Sequence, residues 1–352
     1  MKSDLEKINF TSDYMEGAHP NIIKKLIETN NIQTDGYGTD MYCTSAREKI
    51  RKACNCPNAE VHFLVGGTQT NLTVISSLLR PYEGVLCPAS GHIAKFEAGA
   101  TEATGHKIIE LPSNYGKIDA ETIERYLINF YGNSNFEHMA APGMVYISQP
   151  TEYGTLYSLE ELKELSRVCH ENDLPLYVDG ARLAYALACD ENDVTLADLA
   201  QLTDVFYIGG TKCGALFGEA LVIPKPNYIP RFFTMMKQRG ALLAKGRILG
   251  IQFDVLFEND LYLHIGESAI ACANKLKKWL KDNHFDFYFN SPTNQIFLVV
   301  EDSFAKALNE NVNFSFCERF NEDHIVIRFA TSWDTKEAYI NELIEEIEDL
   351  LK

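Results

Sequence analysis

Short apolar runs recur along the first two thirds of the chain and predict a buried β-sheet. The runs are continuous and rich in Val, Ile, Tyr and Phe, which is typical of strands that are buried on both faces of a sheet. We predict seven such strands: VHFLV (61–65), GVLCP (84–88), KIIELP (107–112), MVYIS (144–148), LPLYVD (174–179), DVFYIG (204–209) and ALVI (220–223).

Helical patterns separate several of these runs. Apolar residues recur at helical spacing over 70–79 and 120–130, and again in SLEELKELSRVCHEND, where Ser158 and Glu161 have the spacing of a capping box. Strands that alternate with helices are joined by right-handed crossovers into a mostly parallel sheet covered by helices. The predicted fold class is therefore α/β.

The pattern changes after about residue 224. Residues 228–258 predict a long, partly broken helical stretch, and the terminal TKEAYINELIEEIEDLLK predicts an amphipathic helix. Between them lie a helix around ANKLKKWLK and three strands, QIFLVV, FSFCERF and HIVIRFA. We therefore predict a large α/β domain with an N-terminal arm over 1–250 and a smaller α+β domain over 251–352, although no Pro-, Gly- or Ser-rich linker marks the boundary.

Composition and charge argue against several classes of partner. The chain has 352 residues, 46% of them hydrophobic, which is enough for a large globular core. A formal net charge of −17 argues against binding to nucleic acid or to an anionic membrane surface. One basic cluster has the spacing of the solvated face of an amphipathic helix: Lys275, Lys277, Lys278 and Lys281.

Neither the cysteines nor the N-terminus predicts a metal site or a targeting signal. The nine cysteines include no CxxC pair, so we expect no metal. MKSDLEKINF has neither the basic and apolar regions of a secretory signal nor an Arg-rich amphipathic character. No apolar run reaches the ~18 residues of a membrane span. We expect a cytoplasmic protein.

Polar residues follow five of the predicted strands. In an open parallel sheet, ligands bind in the crevice outside the carboxyl ends of the strands. Five segments are therefore expected to face one crevice: Gly66-Gly67-Thr68, Ser90-Gly91-His92, Thr151-Glu152, Asp179-Gly180-Ala181-Arg182 and Thr211-Lys212.

The segment GGTQTN, residues 66–71, is suited to binding a phosphate group. Gly66 and Gly67 allow a tight turn that exposes backbone N–H groups, and the next helix points its positive end at the same place. The Thr68 hydroxyl is a further donor. The segment lacks both the Gly-Lys-Ser/Thr ending of a nucleotide P-loop and a GxGxxG pattern. A plain glycine-rich turn is the alternative.

Asp179 and Lys212 each follow an apolar strand. Asp179 either pairs with Arg182 in a structural ion pair or holds a proton on a ring nitrogen, as the pyridine ring of pyridoxal phosphate requires. Lys212 either neutralises a carboxylate or is an amine of lowered pKa that is suited to forming a Schiff base. These residues by themselves leave both alternatives open.

In combination, the motifs resemble the threonine aldolase and β-eliminating lyase family of fold-type-I pyridoxal-phosphate enzymes, and within it the low-specificity L-threonine aldolases. The similarity extends from FTSDYMEGAHP to IVIRFATSW and rests on GGTQTN, GHI, DGARLA, GTKCGALFGEAL and KQRGALLAKG. It implies pyridoxal 5'-phosphate as cofactor and retro-aldol cleavage of L-threonine or L-allo-threonine to glycine and acetaldehyde. It also implies a homodimer or homotetramer with shared active sites.

The resemblance implies a role for each candidate residue. Lys212 would hold the cofactor as a Schiff base, Asp179 would keep the ring nitrogen protonated, and His92 would stack on the ring. The other implied cofactor-binding residues are Gly66, Gly67, Thr68, Arg182, Thr211 and, from a neighbouring subunit, Lys245. The implied substrate-binding residues are Ser12, Arg182 and Arg328 at the carboxylate, Thr151 and Glu152 near the β-hydroxyl, and Tyr37 from a partner subunit.

Two positions depart from the usual pattern of this family. Thr211 stands where a serine is common, and Thr151 and Glu152 stand near a histidine that contacts the substrate β-hydroxyl in many members. We take His92 as the first candidate for the base that removes the hydroxyl proton and Glu152 as the second. The alternative functions are another pyridoxal-phosphate lyase or an aminotransferase, a structural or regulatory protein, and a nucleotide-binding enzyme.

Overall fold

A seven-stranded sheet forms the centre of the computed structural model, which describes residues 7–352. Residues 1–6, most of the segment assessed for a targeting signal, lie outside the described residues. After a short strand, β1 (Ile8–Asn9), the seven strands lie where the apolar runs predict them: β2 (Glu60–Leu64), β3 (Glu83–Pro88), β4 (Lys107–Leu111), β5 (Ala141–Ser148), β6 (Leu176–Asp179), β7 (Val205–Gly209) and β8 (Glu219–Ile223).

The order of the strands is β2-β8-β7-β6-β5-β3-β4. β8 runs antiparallel to both of its neighbours, and the other pairs are parallel. Alternate residues enter two different cores, so that Val145 and Ile147 lie in one and Met144 and Tyr146 in the other. Because both faces are buried, the strands are apolar throughout, and the predicted α/β class is confirmed.

Helices cover both faces of this sheet. The predicted capping box is present, since Ser158 accepts from the Glu161 N–H and the Glu161 carboxylate accepts from the Ser158 N–H. The helices are α1 (Pro20–Thr29), α2 (Met41–Ala53), α3 (Gly67–Leu78), α4 (His92–Lys95), α5 (Ala120–Tyr131), α6 (Leu159–Glu171), α7 (Leu183–Leu187), α8 (Leu196–Leu202), α9 (Phe232–Gln238) and α10 (Arg247–Leu256), with short 3-10 turns at Glu102–Thr104, Phe136–His138 and Glu258–Asp260.

A smaller antiparallel sheet forms the C-terminal part of the chain, with strands β9 (Asp286–Phe287), β10 (Gln295–Glu301), β12 (Ser315–Arg319) and β13 (His324–Ala330) in the order β12-β13-β10-β9. The helices of this part are α12 (Glu267–Asp282), α13 (Asp302–Leu308) and α14 (Glu337–Leu350), whereas the short α11 (Leu261–His264) before them packs on the core of the large sheet. The N-terminal arm packs here as well, because β1 pairs with β11 (Val312–Asn313) and Phe10 enters this core. No helix within 7–352 is long and apolar enough to span a membrane.

The proposed boundary between the two domains falls inside α10. The core beside the large sheet continues past it to Ile270, whereas Leu276 and Leu280 of the same helix, α12, belong to the core of the small sheet. We still propose two domains, but these contacts favour a boundary within α12 and not at residue 250.

Lys277 of the predicted solvated helix face points inward, contrary to expectation. Its ammonium donates to the carbonyl oxygens of residues 291, 292 and 293 at 3.0, 3.1 and 3.1 Å. Burial lowers the pKa of Lys277. The reason for the inward turn is that the loop before β10 has carbonyl groups that need a donor, whereas Lys278 pairs with Asp282 on the exposed side.

Replacing this lysine is expected to destabilise the fold. Lys277→Met keeps most of the aliphatic stem but removes three charge-assisted hydrogen bonds, so the free energy of unfolding should fall by about 1–3 kcal/mol. Lys278→Met is the matched control on the same helix and should change it by less than about 0.5 kcal/mol. Urea unfolding of both variants measures the difference, and equal effects would contradict a role for the three carbonyl contacts.

Candidate active site

A cavity of about 330 Å³ lies at the carboxyl ends of the parallel strands. Ten of the predicted site residues line it: Gly66, Gly67, Thr68, His92, Thr151, Glu152, Asp179, Arg182, Thr211 and Lys212. An adjoining cavity of about 580 Å³, the outer cavity, is lined by Ser12 and Arg328. It shares His92, Glu152, Arg182 and Lys212 with the first cavity. The sheet therefore gathers residues that lie far apart in the sequence.

Lys212 lies in the turn between β7 and β8, at the cavity wall. Burial lowers its pKa, and the positive charge of Arg182 adds to this, while Asp13 and other nearby carboxylates oppose it. The Tyr185 hydroxyl donates to the Lys212 carbonyl, which holds the backbone of the turn. The amine is therefore more easily deprotonated than an exposed lysine, as a nucleophilic amine requires.

The glycine turn after β2 is the N-terminus of α3. This helix begins at Gly67, three residues earlier than predicted, and no side chain caps it. Its first N–H groups are therefore available to an anion at the cavity wall, where Thr68 also lies. A Cβ on Gly67 would approach the Tyr207 hydroxyl to 3.0 Å, so a larger residue would crowd the cavity.

Asp179 lies at the end of β6 and is 4% exposed. Its Oδ2 accepts from the Tyr146 hydroxyl at 2.7 Å and from Asn71 Nδ2 at 3.2 Å, and its Oδ1 accepts from the Tyr207 hydroxyl. Burial raises the pKa of both tyrosines well above the usual value, so they stay protonated and act as donors. An acceptor surrounded by donors is the environment that an ionised carboxylate needs.

His92 is the first residue of α4, after β3. Its Nδ1 lies 2.8 Å from Oε1 of Glu97, whose side chain is buried, and Asn71 donates to the same oxygen at 2.7 Å. The amide of Asn71 thus joins the partner of His92 to Asp179 in one hydrogen-bonded network. With Nδ1 engaged, Nε2 is the ring nitrogen that remains for a ligand.

Glu152 follows β5 and lies where both cavities meet. Its Oε1 accepts from the Ser148 hydroxyl at 2.7 Å and from the His92 N–H at 2.9 Å. Burial raises the pKa of Glu152. Thr151, by contrast, uses its hydroxyl within the local turn, 2.7 Å from the Thr155 hydroxyl, which indicates a structural role.

Arg182, between β6 and α7, and Arg328, in β13, both line the larger of the two cavities. Arg182 donates to both carboxylate oxygens of Asp13, at 2.6 and 2.9 Å, so its ion pair is with Asp13 and not with Asp179. Although burial lowers the pKa of Arg182, the charge of Asp13, its hydrogen bonds and the nearby Tyr185 and Glu152 together offset this, and the pKa is raised. Arg328 donates to Gln295, and its Nε and the nearby Ser12 hydroxyl are buried without a partner among the described residues.

Thr211 is less available to a phosphate than the sequence suggests. Its hydroxyl donates to Oε1 of Glu219 at 2.8 Å and accepts from the Gly218 N–H at 2.9 Å. Burial raises the pKa of Glu219 to about 7. Thr211 therefore orders the turn that carries Lys212, in addition to lining the cavity.

Tyr37 and Lys245 do not line either cavity in the single chain. Both are exposed, and they lie together, because the Tyr37 N–H donates to the carbonyl of Ala244 at 3.2 Å. Lys237 lies over the Tyr37 ring, 4.6 Å from its centre. The two residues that were expected to reach a neighbouring subunit thus share one surface.

Several residues of the site were not anticipated. Asn71 belongs to the motif GGTQTN, so a polar residue inside that motif was its available signal, whereas Glu97 lies four residues beyond GHI. Glu219 had a similar signal in GEAL, a carboxylate opening an apolar strand. Asp13 also lies inside a named motif, FTSDYMEGAHP, but only the packing of the N-terminal arm shows that its partner is Arg182.

Comparison with known proteins identifies the family. The family model described as beta-eliminating lyase matches residues 9–303. A low specificity L-threonine aldolase of Pseudomonas sp. (strain NCIMB 10558) is 31% identical over 343 residues, 96% of each chain. A second one, from Pseudomonas aeruginosa, is 29% identical over the same share of each chain.

Solved structures agree with the sequence comparison. The threonine aldolase of Leishmania major superposes with a TM-score of 0.94 at 41% identity and covers 98% of this chain and 100% of its own. An aspartate aminotransferase of Thermus thermophilus, at 13% identity and a TM-score of 0.71, shares the fold. The predicted family and fold are confirmed: the chain belongs to the beta-eliminating lyase family and has the fold of the fold-type-I pyridoxal-phosphate enzymes.

Proposed function

We propose that this protein is a lyase that cleaves L-threonine and L-allo-threonine to glycine and acetaldehyde with pyridoxal phosphate as cofactor. The observation that carries the proposal is a lysine of lowered pKa facing the same cavity as a buried aspartate and an uncapped helix N-terminus. The names of the relatives support it, since the Pseudomonas sp. and Leishmania major proteins are called threonine aldolases.

The residues of the cavity fit this cofactor. The uncapped start of α3 at Gly66 and Gly67, with Thr68, would hold the phosphate. Asp179, surrounded by donors, would hold a proton on the ring nitrogen, and the Lys212 amine would bind the aldehyde carbon. When bound, pyridoxal phosphate accepts the electron pair that is released at the substrate Cα.

The substrate carboxylate would lie between Arg182 and Arg328. Both arginines line the outer cavity together with Ser12. The Ser12 hydroxyl and Arg328 Nε, which have no partner within residues 7–352, are two donors that an incoming carboxylate would engage. This clamp would fix rotation about the N–Cα bond. It thereby selects which bond of Cα is broken, and the aldolase reaction requires the Cα–Cβ bond.

A product assay tests the proposed function against its alternatives. Purified protein with pyridoxal phosphate should cleave both L-threonine and L-allo-threonine and release one acetaldehyde for each glycine. Much less of either product should form from the D-isomers. A β-eliminating lyase would instead release ammonia and an oxo acid, and an aminotransferase would need an oxo-acid acceptor. Absence of acetaldehyde at every usable enzyme concentration would refute the proposal.

We also propose that the active sites are shared between subunits of a homodimer or homotetramer. Tyr37 and Lys245 lie together on an exposed surface away from their own cavity, beside the exposed ring of Phe233. The exposed Tyr37 ring and the exposed Lys245 ammonium lie on two adjoining loops and are suited to entering a neighbouring site.

Mixing two inactive variants tests the shared site. Lys212→Ala and Lys245→Ala homo-oligomers should each have low activity, but subunits exchanged between them form one intact site in each mixed dimer. Random exchange at equal amounts should restore about a quarter of wild-type activity. The rate of acetaldehyde release after co-refolding measures this. In the control mixture, Lys278→Ala replaces Lys245→Ala. If the mixture of Lys212→Ala and Lys245→Ala is no more active than the two variants measured separately, the sharing of sites is contradicted.

A further inference from the structure

The Glu152 carboxyl has one oxygen for which the described residues offer no partner. Oε1 is held by Ser148 and by the His92 N–H, but Oε2 has less than 1 Å² of accessible surface and no hydrogen bond within residues 7–352. The side chain lies where the cofactor cavity meets the outer cavity, beside Lys212 and Arg182. A shielded carboxyl oxygen without a donor is costly, so a substrate donor that reached Oε2 as the side chain turned toward the cavity would relieve that cost.

The negative charge of Glu152 limits which group of a ligand can be that donor. A phosphate or a second carboxylate would be repelled by Glu152, and the two arginines already offer a place for the substrate carboxylate. The substrate amino group would replace Lys212 on the cofactor aldehyde, and the freed Lys212 amine would serve Cα. The remaining donor on a β-hydroxy amino acid is its hydroxyl group, which would lie on the outer-cavity side of Cα.

His92 was the first candidate for this position, and its surroundings favour a different role. About a third of its side chain is exposed (32%), and Nδ1 is bound to Glu97. A proton taken up by an exposed imidazole exchanges with water, whereas one taken up by the shielded Glu152 oxygen is retained for the substrate. His92 instead fixes Glu152 through its backbone N–H.

Resting on the proposed function, we infer that Oε2 of Glu152 is the base that accepts the β-hydroxyl proton. As the O–H proton moves to Glu152, its electron pair forms the C=O bond of the aldehyde and the Cα–Cβ bond breaks. The electron pair of that bond stays at Cα, where the cofactor accepts it. The proton held by Glu152 then passes to the Lys212 amine, and that amine delivers a proton to Cα to give glycine, so that atoms and charges balance.

The reaction should therefore require Glu152 in its ionised form. Burial is the main cause of its raised pKa, and the charge of Asp179 raises it further, while the Ser148 hydroxyl and the His92 N–H lower it. The buried Tyr146 and the Arg182 guanidinium also face it. Because a base works only after losing its proton, the rate should rise with pH through the Glu152 pKa.

Glu152→Gln tests the inference with little change of shape. The amide retains an acceptor for Ser148 and the His92 N–H but cannot take up a proton. We expect kcat for L-threonine cleavage to fall by about 10²–10⁴-fold with KM nearly unchanged, and the acidic limb of the pH profile to disappear. Exchange of the glycine α-protons with deuterated water needs the cofactor and Lys212 but no hydroxyl group, so it should stay within about threefold of wild type.

Infrared spectra of the cofactor-free protein give a readout that is independent of activity. The difference spectrum between wild type and Glu152→Gln should contain a protonated-carboxyl band that disappears as the pH rises through a pKa above that of a free glutamate.

Lys212→Ala is the matched control for the cleavage and exchange assays, since it should lose both activities.

The outcomes separate the two proposals. Wild-type protein that forms no acetaldehyde would refute the proposed function. Wild type that cleaves threonine, together with Glu152→Gln that cleaves it at a similar rate, would refute the inference about Glu152 and leave the function standing. Loss of both cleavage and glycine exchange in a folded Glu152→Gln variant would also refute it, because the residue would then serve the cofactor.

Discussion

Lys212→Ala is expected to lower kcat/KM for L-threonine by at least about 10⁴-fold. The amine is the nucleophile of the cavity, and its lowered pKa makes the neutral form accessible near neutral pH. The fold should be unaffected, because the contact that Lys212 makes with Tyr185 uses the main-chain carbonyl.

Two measurements check this expectation. Acetaldehyde release gives the rate, and borohydride reduction followed by mass spectrometry shows whether the cofactor is attached to the peptide that contains Lys212. Lys278→Ala, on the exposed face of α12, is the control for removing a lysine and should retain both. A Lys212→Ala enzyme with more than about a tenth of wild-type activity would rule out a covalent role for this lysine.

Asp179→Asn is expected to lower kcat by about 10³–10⁴-fold, the scale of replacing a buried carboxylate that keeps a ring nitrogen protonated. The amide is nearly isosteric, but it cannot stabilise a positive charge on the ring. Its N–H₂ group would also face either the Tyr146 or the Tyr207 hydroxyl, since these now donate to different carboxylate oxygens. The ring would then be a weaker acceptor for the electron pair at Cα.

Absorbance of the bound cofactor and circular dichroism separate this effect from unfolding. The variant should bind pyridoxal phosphate with an altered spectrum and keep its secondary structure. Tyr146→Phe, which removes one of the donors to Asp179, should have a smaller effect of about tenfold, because Tyr207, Asn71 and the Ala181 N–H still contact the carboxylate. An Asp179→Asn enzyme that is no slower than Tyr146→Phe would contradict the role of the charge.

The strands and their polar ends were predictable because both arise from local pattern. A strand that is buried on both faces must be apolar along its whole length, so the seven runs are visible without any knowledge of their partners. Parallel strands place their carboxyl ends at one edge, which is why Gly66, Asp179 and Lys212 could be expected together. Their common cavity agrees with that expectation.

The partners of those residues were not predictable in the same way. Asp13 comes to Arg182 because the N-terminal arm pairs with the small domain, and nothing in the residues around Asp13 indicates that pairing. Lys277 looked like its exposed neighbours because helical spacing alone cannot tell which lysine reaches a loop. The roles of Tyr37 and Lys245 depend on a second subunit and stay predictions.

The sequence by itself determined the α/β class, the family and the set of groups that meet at the sheet edge, because apolar periodicity and short motifs record local requirements of backbone and side chain. Tertiary structure decided how those groups are paired: Arg182 with Asp13, His92 with Glu97, and one carboxylate oxygen of Glu152 with Ser148 and the His92 N–H. The reason is that hydrogen bonds and desolvation depend on atoms from distant parts of the chain. The distances between those atoms are set only when the chain folds.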